Sequence, residues 1–197
     1  MSITRTVNRI RRNHGLEHAT IHVLSESRKR FSAQGNSDHR GFHLNIYGEV
    51  TPDEVRAAAV EAQRRLRAGE RQLAVHPNCG TVLVTTATLA TLAAQAALTW
   101  EQWRAPAGDG RGRSLTTAFN ALPGAILAVV VALIVGRPLG LTLQERYTVD
   151  GNIADLEIAS VQPVAVSPVA RLFQLLLTAG NRALPPKSYF VRTVGGE

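Results

Sequence analysis

The sequence predicts a membrane α-helical hairpin, with two transmembrane helices, joined to a small cytoplasmic α+β unit. The 197-residue chain is basic, with 22 Lys/Arg against 15 Asp/Glu, yet residues 81–100 and 119–136 carry no charge. Each uncharged window approaches the length of about 20 apolar residues that a spanning helix needs. Outside the windows, helical and strand-like apolar patterns predict the α+β unit. The single cysteine excludes an intramolecular disulfide and therefore a disulfide-stapled fold.

The two windows have the features of spanning helices. The first, Thr81–Trp100, is rich in Ala, Leu and Val, and Trp100 and Trp103 stand at its end. Indole rings favour the membrane interface. The second has its apolar core at Ala125–Val135, with Pro123 near its start, where a kink costs least. Two buried helices of a soluble core are the alternative, although a soluble domain would normally interrupt such runs with charge.

The basic flanks predict the orientation and the domains. Arginines precede the first window and follow the second, while the linker 101–117 is short, polar and less basic. The positive-inside rule then places both termini in the cytoplasm. We expect a cytoplasmic α+β part at residues 1–80 with a His-rich amphipathic helix, a transmembrane hairpin at 81–136, and a C-terminal cytoplasmic segment at 137–197 with an amphipathic helix.

The N-terminal part contains two predicted helices and a strand. Ile3–Arg30 has the apolar spacing of an amphipathic helix, and Gly41–Glu49 alternates as a half-buried strand does. The segment Phe31–Arg40 between them is polar and turn-rich. Thr51-Pro52-Asp53-Glu54 is a capping box that begins a helix running to about Ala68.

The C-terminal part is less distinct. Asp155–Ala159 fits a strand or a helix by pattern. Ser167-Pro168 begins an amphipathic helix that ends near Gly180 and is too short to span a membrane. From Leu184 onward, two consecutive prolines predict an extended tail.

One motif has side chains that could bind a metal ion or catalyse a reaction. It is His14-Gly15-Leu16-Glu17-His18, which fits the H-x-x-E-H pattern of inverted zinc proteases. At about 100° per helical residue, His14 and His18 lie about 40° apart on one face and can bind one metal ion. Glu17 lies about 60° to the other side of His14, where it could deprotonate a water and act as the catalytic base. His22 continues the row, so His18 and His22 are the alternative ligand pair.

A zinc ion needs three or four ligands, so another segment must contribute. Cys79 is the best choice because thiolate binds zinc strongly, and His76 is the next. Glu61 and Glu70 are further carboxylate choices. A metal-free site, with Cys79 as nucleophile and His18 or His76 as base, also fits. The alternatives without function are a solvated histidine row and a packing cysteine; His39 and His43 are interpreted as non-functional.

The basic N-terminal helix suggests a partner. Its four arginines, Arg5, Arg9, Arg11 and Arg12, suit anionic lipid headgroups. Nucleic acid is the competing partner for a basic helix, but no nucleic-acid module or aromatic stacking platform accompanies it. We therefore expect the lipid bilayer as partner, with a homo-oligomer or other subunits of a membrane complex as further partners, and no nucleic acid.

Three segments resemble the YqhQ-like family, bacterial membrane proteins of unknown function described as predicted metal-dependent enzymes. His14–His18 resembles its H-G-A-E-H box, and residues 76–81 resemble its H-P-R-C-G-T-S box, although Asn78 and Val82 depart from it. Segments 138–144 and 155–159 resemble the part after its spans. The resemblance implies an integral inner-membrane protein in which His14, Glu17, His18, His76 and Cys79 cluster near the cytoplasmic surface.

Together these features predict an integral membrane protein with a His/Cys metal site at the cytoplasmic surface. Zinc held by His14, His18 and Cys79 would leave one position for water, as a metal-dependent hydrolase requires. The alternative is a non-catalytic accessory or scaffold subunit whose structural metal site is closed by His76. Neither the substrate nor turnover follows from the sequence.

Overall fold

The computed structural model describes residues 2–28, 32–104, 115–168, 170–171 and 186–195. Within them lie four α-helices and one four-stranded antiparallel sheet. The helices are α1 (Ile3–Ser27), α2 (Pro52–Arg67), α3 (Gly80–Arg104) and α4 (Leu115–Leu143); the strands are β1 (Ser32–Asp38), β2 (Gly41–Tyr47), β3 (Glu157–Val164) and β4 (Pro186–Val194). Two compact units result: Met1–His76 with Glu145–Glu197, and Pro77–Gln144.

The sheet of the first unit has the strand order β1-β2-β4-β3. β1 and β2 form a hairpin in which Asp38 pairs with Gly41, and β4 pairs with both β2 and β3. Two expectations need correction. The polar segment Phe31–Arg40 contains a strand, and the segment expected to be an extended tail contains β4, an inner strand of the sheet. Tyr189 and Val191 of β4 are buried, which explains its inner position.

The core of the first unit lies between the helices and one face of the sheet. Phe42, Leu44 and Ile46 alternate along β2 and are fully buried, as the period-two pattern predicts. Leu16 of α1 and Val55 of α2 are also fully buried in this cluster. α1 therefore buries its second half in the core, and this half carries the H-x-x-E-H motif.

The predicted start and end of α2 are confirmed. Thr51 accepts a hydrogen bond from the Glu54 backbone N–H, and the Glu54 side chain accepts from the Thr51 N–H, which completes the capping box. The helix ends at Arg67, and Gly69 then adopts φ of 98°, a left-handed conformation that favours glycine. α1 begins at Ile3 as expected and ends at Ser27 rather than Arg30.

The second unit is a pair of packed helices, α3 and α4. Both are long and apolar enough to cross a membrane. Gly136 and Gly140, one turn apart on α4, face α3 closely: a Cβ on Gly140 would lie 2.8 Å from the Cα of Val82, and one on Gly136 3.0 Å from that of Thr86. Glycines at this i, i+4 spacing allow two helix backbones to approach.

The remaining faces of these helices are exposed. Only 6% of the apolar window in Gly80–Arg104 is buried, and 22% of the window in Phe119–Thr148. The end of α4 extends beyond the predicted hairpin and continues as a single π-helical turn, Gln144–Thr148. The amphipathic helix expected from Ser167 to Gly180 lies mostly outside the described residues.

Candidate metal-binding site

Four histidines of the first unit form a continuous row. His14, His18 and His22 occupy successive turns of α1, and His76 follows the short 3-10 helix Arg71–Ala74. The ring centroids are 4.4 Å apart for His14 and His18, 5.7 Å for His18 and His76, and 5.1 Å for His22 and His76. The predicted convergence of His14 and His18 on one helix face is present. We call these four residues the histidine row.

Backbone carbonyls orient three of the four rings. Nδ1 of His14 lies 2.9 Å from the Thr148 carbonyl oxygen, and Nδ1 of His18 lies 2.7 Å from that of Ala74. Nε2 of His22 lies 3.0 Å from the carbonyl oxygen of Val75. A carbonyl can only accept, so each of these nitrogens carries the proton and donates.

The same bonds prepare the rings for a metal ion. In the neutral rings, the lone pair lies on Nε2 of His14 and His18 and on Nδ1 of His22. Metal-ligating histidines almost always donate their other N–H to a carbonyl or carboxylate, which fixes the ring and raises its basicity. The ligand atoms of His14 and His18 lie within 4.8 Å of each other. This pair therefore has both the spacing and the ring orientation of a two-histidine metal anchor.

His76 is held in its neutral form. Burial, reinforced by the neighbouring His18 and His22, lowers the pKa of His76 from 6.5 to about 4. At neutral pH its imidazole therefore carries no charge, and one ring nitrogen offers a lone pair. A neutral ring is the form that can bind a metal, so His76 is chemically able to take part.

Glu17 contacts strand β1. The residue is 2% exposed, and its carboxylate accepts a hydrogen bond from the Ser37 hydroxyl of β1 at 2.6 Å. Gly35 of the same strand leaves room for it, since a Cβ there would overlap the Glu17 carboxylate. Among the described residues, Glu17 is outside the group of close potential ligands. Its role as catalytic base remains a prediction.

Cys79 belongs to the second unit, directly before α3, and its side chain is buried. It is three positions after His76 in the chain. The other carboxylates proposed as ligands have arginine partners. Glu61 binds Arg64 and Glu70 binds Arg65, which lowers the pKa of each carboxyl group through charge-assisted hydrogen bonds. These two carboxylates therefore serve as ion-pair partners.

Three arginines of α1 form hydrogen bonds or an ion pair within the first unit. Arg9 donates to the carbonyl oxygen of Thr193, and Arg11 donates to those of Arg146 and Val149. Arg12 lies 3.6 Å from the carboxylate of Asp150. Arg5 is exposed, whereas the other three are partly buried. Contact of these four arginines with anionic lipid therefore stays a prediction, and Arg9, Arg11 and Arg12 also bind groups of the first unit.

The sequence analysis missed the structural roles of Asn13, directly before the motif, and of Gly15 within it. Asn13 is fully buried; it donates to the Asp38 carbonyl and accepts from the Thr193 hydroxyl, so it links α1 to both β1 and β4. Gly15 lies against the backbone of Asp150, whose N–H donates to the carbonyl of Arg11. The available signal was a small amide and a glycine on the apolar face of a helix, where both lower helix propensity.

Comparison with known proteins identifies the family. The chain matches the sequence profile of the domain of unknown function DUF6391 over residues 9–161. It is 34% identical over 148 residues, 69% of this chain and 70% of the relative, to an uncharacterised protein of Picosynechococcus sp. (strain ATCC 27264 / PCC 7002 / PR-6). No solved structure matches significantly. The resemblance to the YqhQ-like family stays a prediction; the chain belongs to the bacterial DUF6391 family, whose function is unknown.

Proposed function

We propose that this protein is an integral membrane protein that binds a metal ion, most suitably zinc, through His14, His18 and Cys79 at the cytoplasmic membrane surface. The observation that carries the proposal is the His14–His18 pair, whose ligand atoms lie within 4.8 Å and whose Nδ1 atoms both donate to backbone carbonyls. Folding already fixes both rings, so their side-chain entropy is lost before any ion binds. The ion therefore meets a preformed pair and orders little further structure when it binds.

The exposed faces of α3 and α4 support insertion into a bilayer. A core helix of a soluble protein is mostly buried, whereas these windows are only 6% and 22% buried. Trp100 and Trp103 are 59% and 79% exposed near the end of α3, and the Arg104 guanidinium lies 5.9 Å from the Trp100 ring. Such aromatic and basic side chains suit the headgroup level. The excess of arginine outside the hairpin supports a cytoplasmic location for both termini.

Chain connectivity supports Cys79 as the third ligand. Three residues span at most about 11 Å between Cα atoms, so Cys79 cannot lie far from His76. His76 is itself a member of the histidine row. Thiolate and imidazole are both zinc ligands, and a set of three protein ligands leaves a fourth position open.

Hydrolysis is the reaction that such a site would support. Zinc with an open position supplies Lewis-acid chemistry to a water molecule. Glu17, one residue before His18 and nearly fully buried, would accept the proton. Ser37 orients its carboxylate through a 2.6 Å hydrogen bond.

A non-catalytic metal site is the second possibility, and one observation favours it. His14 and His18 join α1 to two other segments, through Thr148 and Ala74. An ion bound by these rings would strengthen that junction, and His76 as a fourth ligand would close the site. The protein would then serve as an accessory or scaffold subunit of a membrane complex.

Metal analysis of the detergent-solubilised full chain tests the site. Wild type is compared with His18→Asn, which keeps a donor for Ala74 but lacks Nε2, and with Cys79→Ser. His43→Gln is the control, because His43 stacks on Phe190, 4.6 Å away between ring centroids. We expect zinc in wild type and control, and at least one ion per chain fewer in both site variants. Equal metal content in all four proteins would refute the site.

Glu17→Gln distinguishes the two functions. Because Gln still accepts the Ser37 hydrogen bond, it should keep the fold and the metal. If the protein is a hydrolase, this variant fails to complement a deletion strain. Complementation equal to wild type would instead support the structural site. Sedimentation with membranes after alkaline washing tests insertion, and release into the soluble fraction would contradict it.

A further inference from the structure

We propose that His22 and His76 form a second metal position, at the other end of the histidine row from the His14–His18 pair. The ligand would be a divalent transition ion that prefers imidazole, such as Zn²⁺, Ni²⁺ or Cu²⁺. This second position rests on the proposed metal-binding function. A zinc titration distinguishes the absence of the second position from the absence of metal binding altogether. Both histidines lie in the first unit, so the position depends on that unit alone.

The distance between the rings fits a shared ion. With a metal–nitrogen distance of about 2.1 Å, each imidazole centroid lies about 3.2 Å from the metal. Two such rings at a tetrahedral angle have centroids about 5 Å apart, and this separation shortens to about 4.5 Å at a right angle. His22 and His76 are 5.1 Å apart, and His14 and His18 are 4.4 Å apart. The 5.7 Å between His18 and His76 requires a wider angle than either.

The His22 ring is oriented for a metal ion. Nε2 of His22 donates to the Val75 carbonyl oxygen at 3.0 Å, so in the neutral ring Nδ1 carries the lone pair. His76 immediately follows Val75 in the chain, so one short segment both orients the first ring and supplies the second. This arrangement positions the pair without any further element.

The second position should bind a metal ion with lower affinity than the first. Both rings are only partly buried, so water can reach them. An ion held by two neutral imidazoles keeps several waters and exchanges readily.

The main competing arrangement uses His76 as the fourth ligand of the first site. In that case the protein binds a single ion, and His22 contributes nothing to it. The two arrangements therefore differ in stoichiometry and in the effect of changing His22. His22→Gln is the matched variant, because the Gln amide can still donate to Val75 while the second ring nitrogen is lost.

The test is a titration of metal-free, detergent-solubilised full chain with Zn²⁺, followed by calorimetry and by elemental analysis after dialysis. We expect two ions in wild type, the second bound at least tenfold more weakly. His22→Gln and His76→Gln should each bind one ion with the affinity of the tighter wild-type site, whereas His39→Gln, in the β1–β2 turn, should bind two. Circular dichroism verifies that each variant is folded.

Three results would overturn the inference. One is a single ion in wild type that His76→Gln loses and His22→Gln keeps, which assigns His76 to the first site. Another is equal stoichiometry in wild type and His22→Gln. Binding of no ion by folded wild type would remove the proposed function itself, and the inference with it.

Discussion

The Nδ1–H of His18 donates to the carbonyl oxygen of Ala74 over 2.7 Å, and 56 positions of sequence separate the two residues. Both residues are buried. Ala74 ends the 3-10 helix that precedes Val75 and His76, so one hydrogen bond fixes the ligand face of α1 to the segment that carries the next histidine. Long-range backbone contacts of this kind, rather than the motif alone, orient the rings.

Replacement of His18 separates its structural role from metal binding. His18→Ala leaves the buried Ala74 carbonyl without its donor, which costs about 1–3 kcal/mol, and removes the ring from the core. His18→Asn retains an N–H in the position of Nδ1 and should lose less. We expect thermal unfolding in detergent, with a metal chelator present, to rank wild type above Asn and Asn above Ala. Equal midpoints for Asn and Ala would contradict the importance of this hydrogen bond.

A methyl group on Gly35 should displace Glu17. The Gly35→Ala side chain would overlap the Glu17 carboxylate, which is held by Ser37. Overpacking a buried site typically costs about 1–3 kcal/mol. In Glu17→Ala the space is vacated, so the same glycine substitution should cost much less there.

A double-mutant cycle of free energies of unfolding measures this coupling. The cost of Gly35→Ala in wild type and in the Glu17→Ala background should differ by about 1 kcal/mol or more, as for residues in direct contact. Additive effects would show that the carboxylate does not occupy the space beside β1.

The glycines of α4 should be essential for hairpin packing. Gly140→Leu places a side chain where a Cβ already lies 2.8 Å from the Val82 backbone, so the helices must separate. Gly124→Ala is the control, since a Cβ there meets nothing within 4 Å. We expect Gly140→Leu to lower the unfolding temperature. Gly124→Ala should leave the unfolding temperature unchanged or raise it slightly, because alanine favours helix over glycine by about 0.5–1 kcal/mol. Similar destabilisation by both variants would contradict the packing described.

Acid should destabilise the metal-free protein through His76. The unfolded chain protonates this residue near pH 6.5, but the folded chain does so only near pH 4. Between these values the unfolded state binds more protons, so the free energy of unfolding falls as the pH falls. His76→Gln should flatten the stability profile between pH 7 and 4, measured by thermal unfolding with chelator. A parallel profile for the two proteins would contradict the neutral, buried state of His76.

The sequence predicts well those elements whose signals are local. The capping box at Thr51 and the alternation around Leu44 identify α2 and β2, since a cap and a half-buried strand depend on neighbouring residues. β1 and β4 were missed for a physical reason. Ser32–Asp38 has little intrinsic strand preference, and β4 begins at the second of two consecutive prolines, so both strands depend on pairing with β2.

In the candidate site, too, the sequence predicts the local features and misses the long-range contacts. Helical periodicity predicts that His14 and His18 share a face, and the structure agrees. It gives no sign that Thr148, Ala74 and Val75 supply the carbonyls, because these contacts join positions more than 50 apart in the sequence. Nor does it show that Arg9 and Arg11 bind carbonyls at the ends of other elements. Charge patterning alone favours solvent or lipid for such residues.

The absorption spectrum of the Co²⁺-loaded full chain tests the central claim most directly, because a thiolate ligand gives an intense sulfur-to-cobalt charge-transfer band that imidazole ligands do not. Wild type should show this band together with the visible bands of tetrahedral cobalt. Cys79→Ser should lose the charge-transfer band, and His18→Asn should lose or strongly alter the tetrahedral bands, while His43→Gln retains both. A wild-type spectrum without the sulfur band, identical to that of Cys79→Ser, would contradict a shared site for His14, His18 and Cys79.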